Sequence, residues 1–381
     1  MREVVIVEAV RTPIGRRNGA LKDTHPVVLG AMALRELVKR AGIEPAIVED
    51  VVMGCVSQVG EQGVNIARNA VLQAGFPIEV PATTVDRQCG SGQQGLHFAA
   101  NLIQAGVCDV TIAGGVESMT RLPIGSNIAT GGHPFPPSLL EEYPMVHQGI
   151  SAEMIAEQWG ISREELDAFG LRSHQLAAAA QDDGAFDREI APLALADGTI
   201  FARDEGVRRD TTLEKLAGLQ PAFKPDGRIT AGSSSQVSDG AAALLLTTPE
   251  KAAELGLRPR ARIVAQKVVG VDPVLMLTGP IPSTRAVLAK AGLALDQIDL
   301  FEVNEAFASV VLAWERELHP DMAKVNVNGG AIALGHPLGC SGARLMVTLL
   351  HALEARGRRY GLQTMCCGGG LGTATIIERL D

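Results

Sequence analysis

The sequence predicts an α/β fold made of two similar halves with an inserted excursion between them, and three features lead there. Strand-like and helix-like segments alternate through residues 1–118 and again from about residue 258. The second alternation repeats the order of the first, as in a duplicated unit. Between them, residues 119–229 change character: Pro and Gly crowd 123–144, and the chain then turns charged and helical. Hydrophobic residues make up 46% of the 381, aromatics only 3%, and glycines number 42. Such a core is built from Ala, Val, Leu and Ile with close backbone approaches at Gly, which suits stacked α/β layers.

The elements follow in order. Val4–Val7 is apolar and β-branched, a strand. His25–Ala41 has helical spacing and stops at Gly42, a C-cap residue. Val51–Cys55 is a strand, Asn65–Ala74 a helix stopped by Gly75, and Thr83–Val85 a short strand. Gly95–Ala105 is a helix ending at Gly106, and Val110–Ala113 the next strand. In the excursion, Ser162-Arg-Glu-Glu165 is a capping box that opens a helix. Ala241–Leu246 is a short core strand. The second half then echoes the first. Leu288 to Leu300 repeats the helix, Ala-Gly stop, acidic linker and strand of Leu37 to Val51, and Ser341-Gly342 matches Ser91-Gly92 at the opening of a second helix. Each half then reaches a strand with a glycine pair, Gly114-Gly115 and Gly368-Gly369. The organisation expected is a first half at 1–118 continued by 230–257, an inserted loop domain at 119–229, and a second half at 258–381. The functional site belongs at the seam between halves.

The net charge of −9 argues against nucleic-acid binding, which needs a basic face. Local pairs such as Arg16-Arg17 and Arg208-Arg209 either hold an anionic ligand or are ordinary solvated surface. Six cysteines without a C-x-x-C spacing do not make a disulfide scaffold in so long a chain. Met1–Val10 has the pattern of a strand rather than a signal peptide. No apolar run approaches the roughly 20 residues of a membrane span. A cytoplasmic protein, with no membrane contact, is expected.

Chemistry concentrates in four segments. Cys89 stands before a Gly-flanked helix start, in Asp86-Arg-Gln-Cys-Gly-Ser-Gly92. Free N–H groups and the partial positive charge there favour thiolate. The alternative is a buried structural thiol. Gly90-Ser-Gly-Gln-Gln-Gly95 also matches a dinucleotide-binding turn, but the following strand ends in Ala113-Gly-Gly115 without the acid that such a site needs. His336 lies in a glycine-rich stretch with Pro337 fixing the backbone after it, a rigid mount for an imidazole. Cys366-Cys367 closes a strand-like run, Tyr360–Met365, beside Gly368-Gly-Gly370. Asn304-Glu-Ala-Phe307 follows the strand Ile298–Val303, where Asn304 is either a helix N-cap or a side chain that holds a water or carbonyl oxygen. Cys89, Cys340, Cys366 and His336 lack the short paired spacings of a zinc site. A Cys nucleophile, a His and a second thiol together point to acyl uptake by one sulfur and proton transfer at carbon by the other.

On Val85-Asp-Arg-Gln-Cys-Gly-Ser-Gly92, Asn304-Glu-Ala-Phe307, Gly329 to Gly342 and Cys366-Cys-Gly-Gly-Gly370 the chain resembles the thiolase family, the acetyl-CoA C-acyltransferases, over essentially its whole length. The resemblance implies a duplicated αβαβα layered fold with an inserted loop domain that covers CoA. It implies Cys89 as the acylated nucleophile, His336 as its activator and Cys366 as the acid/base at the α-carbon. Asn304 would position a water in one oxyanion hole, and the backbone N–H groups of Cys89 and Gly368 would form the other. Ser235 and Arg208 match CoA-side positions, and His147 a loop-domain histidine near the substrate. Gln148 departs from the Met common after that histidine, which bears on acyl preference. Gln148-Gly-Ile-Ser-Ala-Glu153 looks more similar to thiolases of fatty-acid or sterol side-chain breakdown than to the acetoacetyl-specific group. The implied function is CoA-dependent cleavage of a 3-ketoacyl-CoA, as in fatty acid β-oxidation. Acetoacetyl-CoA condensation and a non-catalytic acyl-CoA or lipid carrier are the alternatives. Coenzyme A enters as a substrate, with no resident cofactor or metal, in a homodimer or homotetramer. A decarboxylating ketoacyl synthase shares the fold but replaces the second catalytic Cys with His or Asn, which Cys366 argues against.

Overall fold

A computed structural model describes residues 1–129 and 131–380; Thr130, in the excursion, and Asp381, closing the second half, lie outside the described residues. Nine strands carry the architecture: β1 (Val5–Arg11), β2 (Asp50–Gly54), β3 (Ala82–Val85), β4 (Val110–Ser118), β5 (Ser238–Thr247), β6 (Ala261–Gly270), β7 (Leu300–Val303), β8 (Tyr360–Cys367) and β9 (Leu371–Arg379). Their order across the sheet is β7-β8-β9-β6-β1-β5-β4-β2-β3, with the two-residue strand Gly15–Arg16 paired to β5. The order is a mirror about the antiparallel β1–β6 contact at Val5↔Arg262 and Ile6↔Ala261. On one side β2 runs parallel to β4, then β5 and β1 follow antiparallel. On the other, β7 runs parallel to β8, then β9 and β6 follow antiparallel. The repeat is therefore a structural duplication.

The helices form three layers around the strands. In the first half α1 (Pro26–Ala41) and α2 (Ile66–Ala74) cover the outer face, and Val5, Val7 and Val10 of β1 point into that core. Alternate residues Val4, Ile6 and Ala9 point the other way, into a central core with α3 (Ser91–Gln104). The excursion contributes α4 (Gln148–Gln158) and α5 (Arg163–Asp182), the latter opened by the Ser162/Glu165 capping box. In the second half α6 (Pro280–Ala291) and α7 (Ala308–Leu318) pack outside β6–β9, and α4 and α5 join that core through Ile155, Ala156, Leu166 and Phe169. Finally α8 (Leu338–Ala355) lies against α3 at the centre. The Ala-Gly stops behave as expected: Gly42 and Gly292 end α1 and α6 with left-handed backbones at φ 67°.

Several sequence expectations need correction. Helix α3 starts at Ser91, not Gly95, and α8 at Leu338, ahead of Ser341. Strand β4 runs on to Ser118, so Gly114 and Gly115 lie inside it, whereas Gly368 and Gly369 follow the end of β8. The two glycine pairs are not equivalent. The pair in β4 is there for close approach: a Cβ at Gly114 would stand 2.7 Å from the Ala242 carbonyl oxygen, and one at Gly115 would strike the backbone of Gly339. Asn304 does not cap a helix. The N-cap of α7 is Phe307, because the chain is not helical at 304–306 and Phe307 itself is extended, pairing with Ser234 before the helix turns.

Candidate active site

The turn between β3 and α3 that carries Cys89 is fixed by its own side chains. Asp86 Oδ1 accepts from the Gln88 N–H at 2.7 Å. Ser91 Oγ accepts from the Arg87 N–H at 2.8 Å and donates to the Gln88 carbonyl at 2.6 Å. Gln88 is thereby held at φ 50°, a conformation uncommon for a residue with a side chain. Cys89 is buried at 4% exposure, two residues before the helix. A Cβ at Gly90 would lie 2.6 Å from Cys367 Sγ, so the thiol-bearing end of β8 packs directly under this turn.

The imidazole comes from the other half. His336 Nδ1 lies 2.6 Å from Ser341 Oγ, and that hydroxyl donates to the Pro337 carbonyl at 2.9 Å. The hydroxyl proton is thus committed, so Nδ1–H donates to Ser341 and Nε2 carries the lone pair. Asn304 Nδ2 lies 3.4 Å from Nε2, while Asn304 Oδ1, fully buried, has no partner among the described residues. The Asn304 N–H is tied to the Thr364 carbonyl at 3.0 Å, which aligns β7 with β8 and so with Cys366. Cys366 is buried at the end of β8, close enough to Cys89 that a charge on either opposes ionisation of the other. The N–H of Gly368 points to the Cys89 sulfur, alongside the N–H of Cys89 itself.

Burial decides the electrostatics. It pushes the Cys89 thiol up to about 11, against the lowering by the two backbone N–H groups. The N–H groups at the turn do favour thiolate, as expected, but in the ligand-free site desolvation outweighs them. Burial, then the Arg344 charge, lowers His336 to about 3. Burial also raises Cys366 well above the ordinary thiol range. Burial thus favours the thiol form at Cys89 and Cys366 and the neutral imidazole at His336.

From the excursion, His147 caps α4, its Nδ1 accepting from the Gly149 N–H at 3.1 Å. Its ring sits 5.5 Å from Phe223, which sits 5.7 Å from Phe307. Gln148 reaches the turn that follows β8: its Nε2 is 3.0 Å from where a Cβ on Gly368 would be. Ser235 donates its N–H to the Ala306 carbonyl at 3.0 Å, beside the Asn304 loop. Arg208 is held by its N–H to His174 Nδ1 at 3.1 Å on α5, and no contact joins it to the thiols among the described residues. Its neighbour Arg209 pairs with Asp182 at the surface.

Two buried carboxylates escaped the sequence reading. Glu117 on β4 accepts from the N–H groups of Val56, Ser57 and Gly339 at 2.8, 3.0 and 2.9 Å and from Gln62 at 2.7 Å, clamping the first half to the start of α8. Glu305 accepts from Ser173 Oγ at 2.6 Å, Asn326 Nδ2 at 2.9 Å and the Ile332 N–H at 3.2 Å, joining α5 to the His336 loop. An acid inside an apolar run was the available signal for both. Ser341, read only as a helix-start match, is the partner that sets the His336 tautomer. No group of three or more His, Cys, Asp or Glu among the described residues is arranged to hold a metal ion.

Comparison with known proteins adds the following. The thiolase N-terminal domain matches residues 4–250 and the thiolase C-terminal domain residues 257–379. A steroid 3-ketoacyl-CoA thiolase of Mycobacterium tuberculosis is 51% identical, covering 100% of this chain and 95% of the relative. An acetyl-CoA acetyltransferase of Syntrophomonas wolfei is 46% identical over all of both chains. The crystal structure of the acetyl-CoA acetyltransferase of Bacillus anthracis superposes with a TM-score of 0.92 at 45% identity, covering 100% of this chain and 99% of that one.

Proposed function

The chain belongs to the thiolase family, and from that premise we propose that it cleaves 3-ketoacyl-CoA thioesters with coenzyme A through an acyl group held on Cys89. It is an acyltransferase. The observation that supports the assignment of roles is the closeness of two buried thiols from opposite halves, Cys89 and Cys366, with the Gly368 N–H on the Cys89 sulfur; His336, buried with Nε2 turned to the Asn304 amide, is assigned as the base on that ground.

The chemistry runs in two steps. Nε2 of His336 takes the Cys89 proton as the sulfur attacks the 3-keto carbon. The N–H groups of Cys89 and Gly368 and the Asn304 side of the site stabilise oxyanions, with Asn304 Oδ1 free to hold a water. The C2–C3 bond breaks, its electrons pass to the acetyl-CoA enolate, and the Cys366 thiol protonates C2. Coenzyme A then enters, gives its thiol proton to the Cys366 thiolate and takes the acyl group. Cys89 leaves as thiolate and recovers its proton from His336. Residues 119–229 serve as the loop domain over CoA, with Ser235, Arg208, His147 and Gln148 on the substrate side. CoA passes through as a substrate, and the site needs no resident cofactor. The enzyme works in the cytoplasm as a homodimer or homotetramer; no helix among the described residues is long and apolar enough to cross a membrane. Condensation of two acetyl-CoA is the second reading, favoured by similarity to proteins named acetyl-CoA acetyltransferases.

Two variants test the roles. Cys89→Ala forms no acyl-enzyme by intact mass spectrometry with any acyl-CoA. Cys366→Ala still takes an acyl group from a simple acyl-CoA onto Cys89 but makes or breaks no carbon–carbon bond. Equal loss of both partial reactions in the Cys366 variant overturns the assignment. Rates of CoA-dependent cleavage across 3-ketoacyl-CoAs, from acetoacetyl-CoA to long-chain and sterol-derived esters, separate the degradative from the acetoacetyl-specific enzyme.

A further inference from the structure

Two side-chain amides converge on Gly368, next to Cys367, without a partner among the described residues. Gln148 opens α4 on the excursion, and Gln88 precedes Cys89 on the first half. Measured from the Cβ position of Gly368, Gln148 Nε2 lies at 3.0 Å and Gln88 Oε1 at 3.3 Å. The N–H of the same Gly368 points to the Cys89 sulfur. A donor and an acceptor, from separate parts of the chain, thus flank the residue against which an acyl group on Cys89 would lie. Both side chains are half-buried, and neither amide has a hydrogen-bond partner among the described residues. Gln88 also keeps a side chain at φ 50°, where glycine is the less strained choice.

We propose that Gln88 and Gln148 form a polar subsite for the acyl chain, selecting 3-ketoacyl-CoAs that carry a neutral hydroxyl or keto oxygen a few bonds beyond the thioester carbon. This deepens the thiolase function proposed above and rests on it. In the free enzyme water satisfies both amides. An acyl chain seated on Cys89 expels that water. A plain alkyl chain then leaves a donor and an acceptor unpaired, which is a penalty on that substrate, whereas a hydroxyl meets both at once. Flipping both amides together again presents one donor and one acceptor toward Gly368, so the pairing survives that exchange. The pair is uncharged and offers a carboxylate no counter-ion. The ring series His147, Phe223 and Phe307 leaves an apolar surface for the remainder of the chain.

The experiment compares kcat/KM for three 3-oxoacyl-CoAs of equal chain length: unsubstituted, hydroxylated on the acyl portion, and ending in a carboxylate. The wild-type enzyme favours the hydroxylated ester over the alkyl ester by about tenfold or more. Gln148→Met, which keeps the volume and removes the amide, brings the ratio towards one through loss on the hydroxylated ester and gain on the alkyl one. Gln88→Leu does the same and carries the test if the first variant does not fold. Preference for the alkyl or the carboxylate ester, or a ratio that neither substitution moves, overturns the proposal. Acetoacetyl-CoA is the control. Its cleavage without a hydroxyl preference defeats the amide pair alone, while failure to cleave it or any of the three removes the thiolase function as well.

Discussion

At the scale of single residues, burial opposes ionisation of Cys89, the proposed nucleophile. Cys89 sits near 11 because burial costs the thiolate more than two N–H groups return, and His336 sits near 3 because burial and Arg344 both disfavour a second proton. A thiolate–imidazolium pair therefore does not pre-exist at neutral pH; the proton moves when substrate arrives. Alkylation of Cys89 by iodoacetamide in the ligand-free protein is expected to accelerate about tenfold per pH unit from pH 7 to 10. A rate that levels off near pH 7 would show a stored ion pair and sink this account. The residue types at the site were legible in the sequence, since Cys89, His336 and Cys366 each stand in a distinctive glycine-rich setting. Their ionisation was not, because desolvation depends on what the whole fold places over the sulfur. Asn304 shows the same limit: its sequence context fits a helix cap, yet its side chain faces Nε2 of His336.

At the scale of elements, α3 and α8 cross with almost no separation. A Cβ on Gly92 would lie 2.7 Å from the Ala343 nitrogen, and one on Gly342 would strike the backbone nitrogen of Gln93. These glycines let α3, with Cys89 just before it, and α8, with His336 just before it, approach backbone to backbone. Gly342→Ala is expected to destabilise the protein by about 1–3 kcal/mol through overpacking, read as a lower urea midpoint, with activity falling more than the stability loss explains. An unchanged midpoint would mean that the crossing is loose. Helix α3 is also tied to β9 by His97, whose Nε2 is 2.7 Å from Thr375 Oγ1. Burial lowers His97 from 6.5 to about 3. Between those values the unfolded chain binds a proton that the folded chain refuses, so this contribution to stability is whole above pH 6.5 and shrinks as pH falls towards 3. His97→Gln escapes the penalty. Whatever the variant costs at pH 7, the gap to wild type closes by about 2 kcal/mol at pH 5 in denaturant titrations. A gap that stays constant with pH would show that His97 titrates normally.

At the scale of the whole molecule, the duplication places the Cys89 segment in the first half and the Asn304, His336 and Cys366 segments in the second, and neither half closes the central core alone. Leu96, Ala99 and Ile103 of α3 pack in the same buried cluster as Met346, Val347 and Leu350 of α8, with Val4, Ile6 of β1 and Leu300 of β7 around them. Expressed alone, residues 1–250 or 257–381 are expected to lack a cooperative thermal transition by circular dichroism, and co-expression to restore it. A half that melts cooperatively by itself would show that the central layer is not shared. The sequence by itself determined the α/β class, the repeat, the excursion and the segments that bear Cys89, His336, Asn304 and Cys366. Periodicity, helix stops and glycine clusters are local, and local pattern survives in one dimension. Only the tertiary structure decided that Gly114-Gly115 and Gly368-Gly369 serve different ends, that Glu117 and Glu305 clamp the site, and that Gln88 and Gln148 meet over Gly368. Those relations join residues far apart in the chain. They depend on how closely two backbones approach and how much water the packed layers exclude, and no short window of sequence records either quantity.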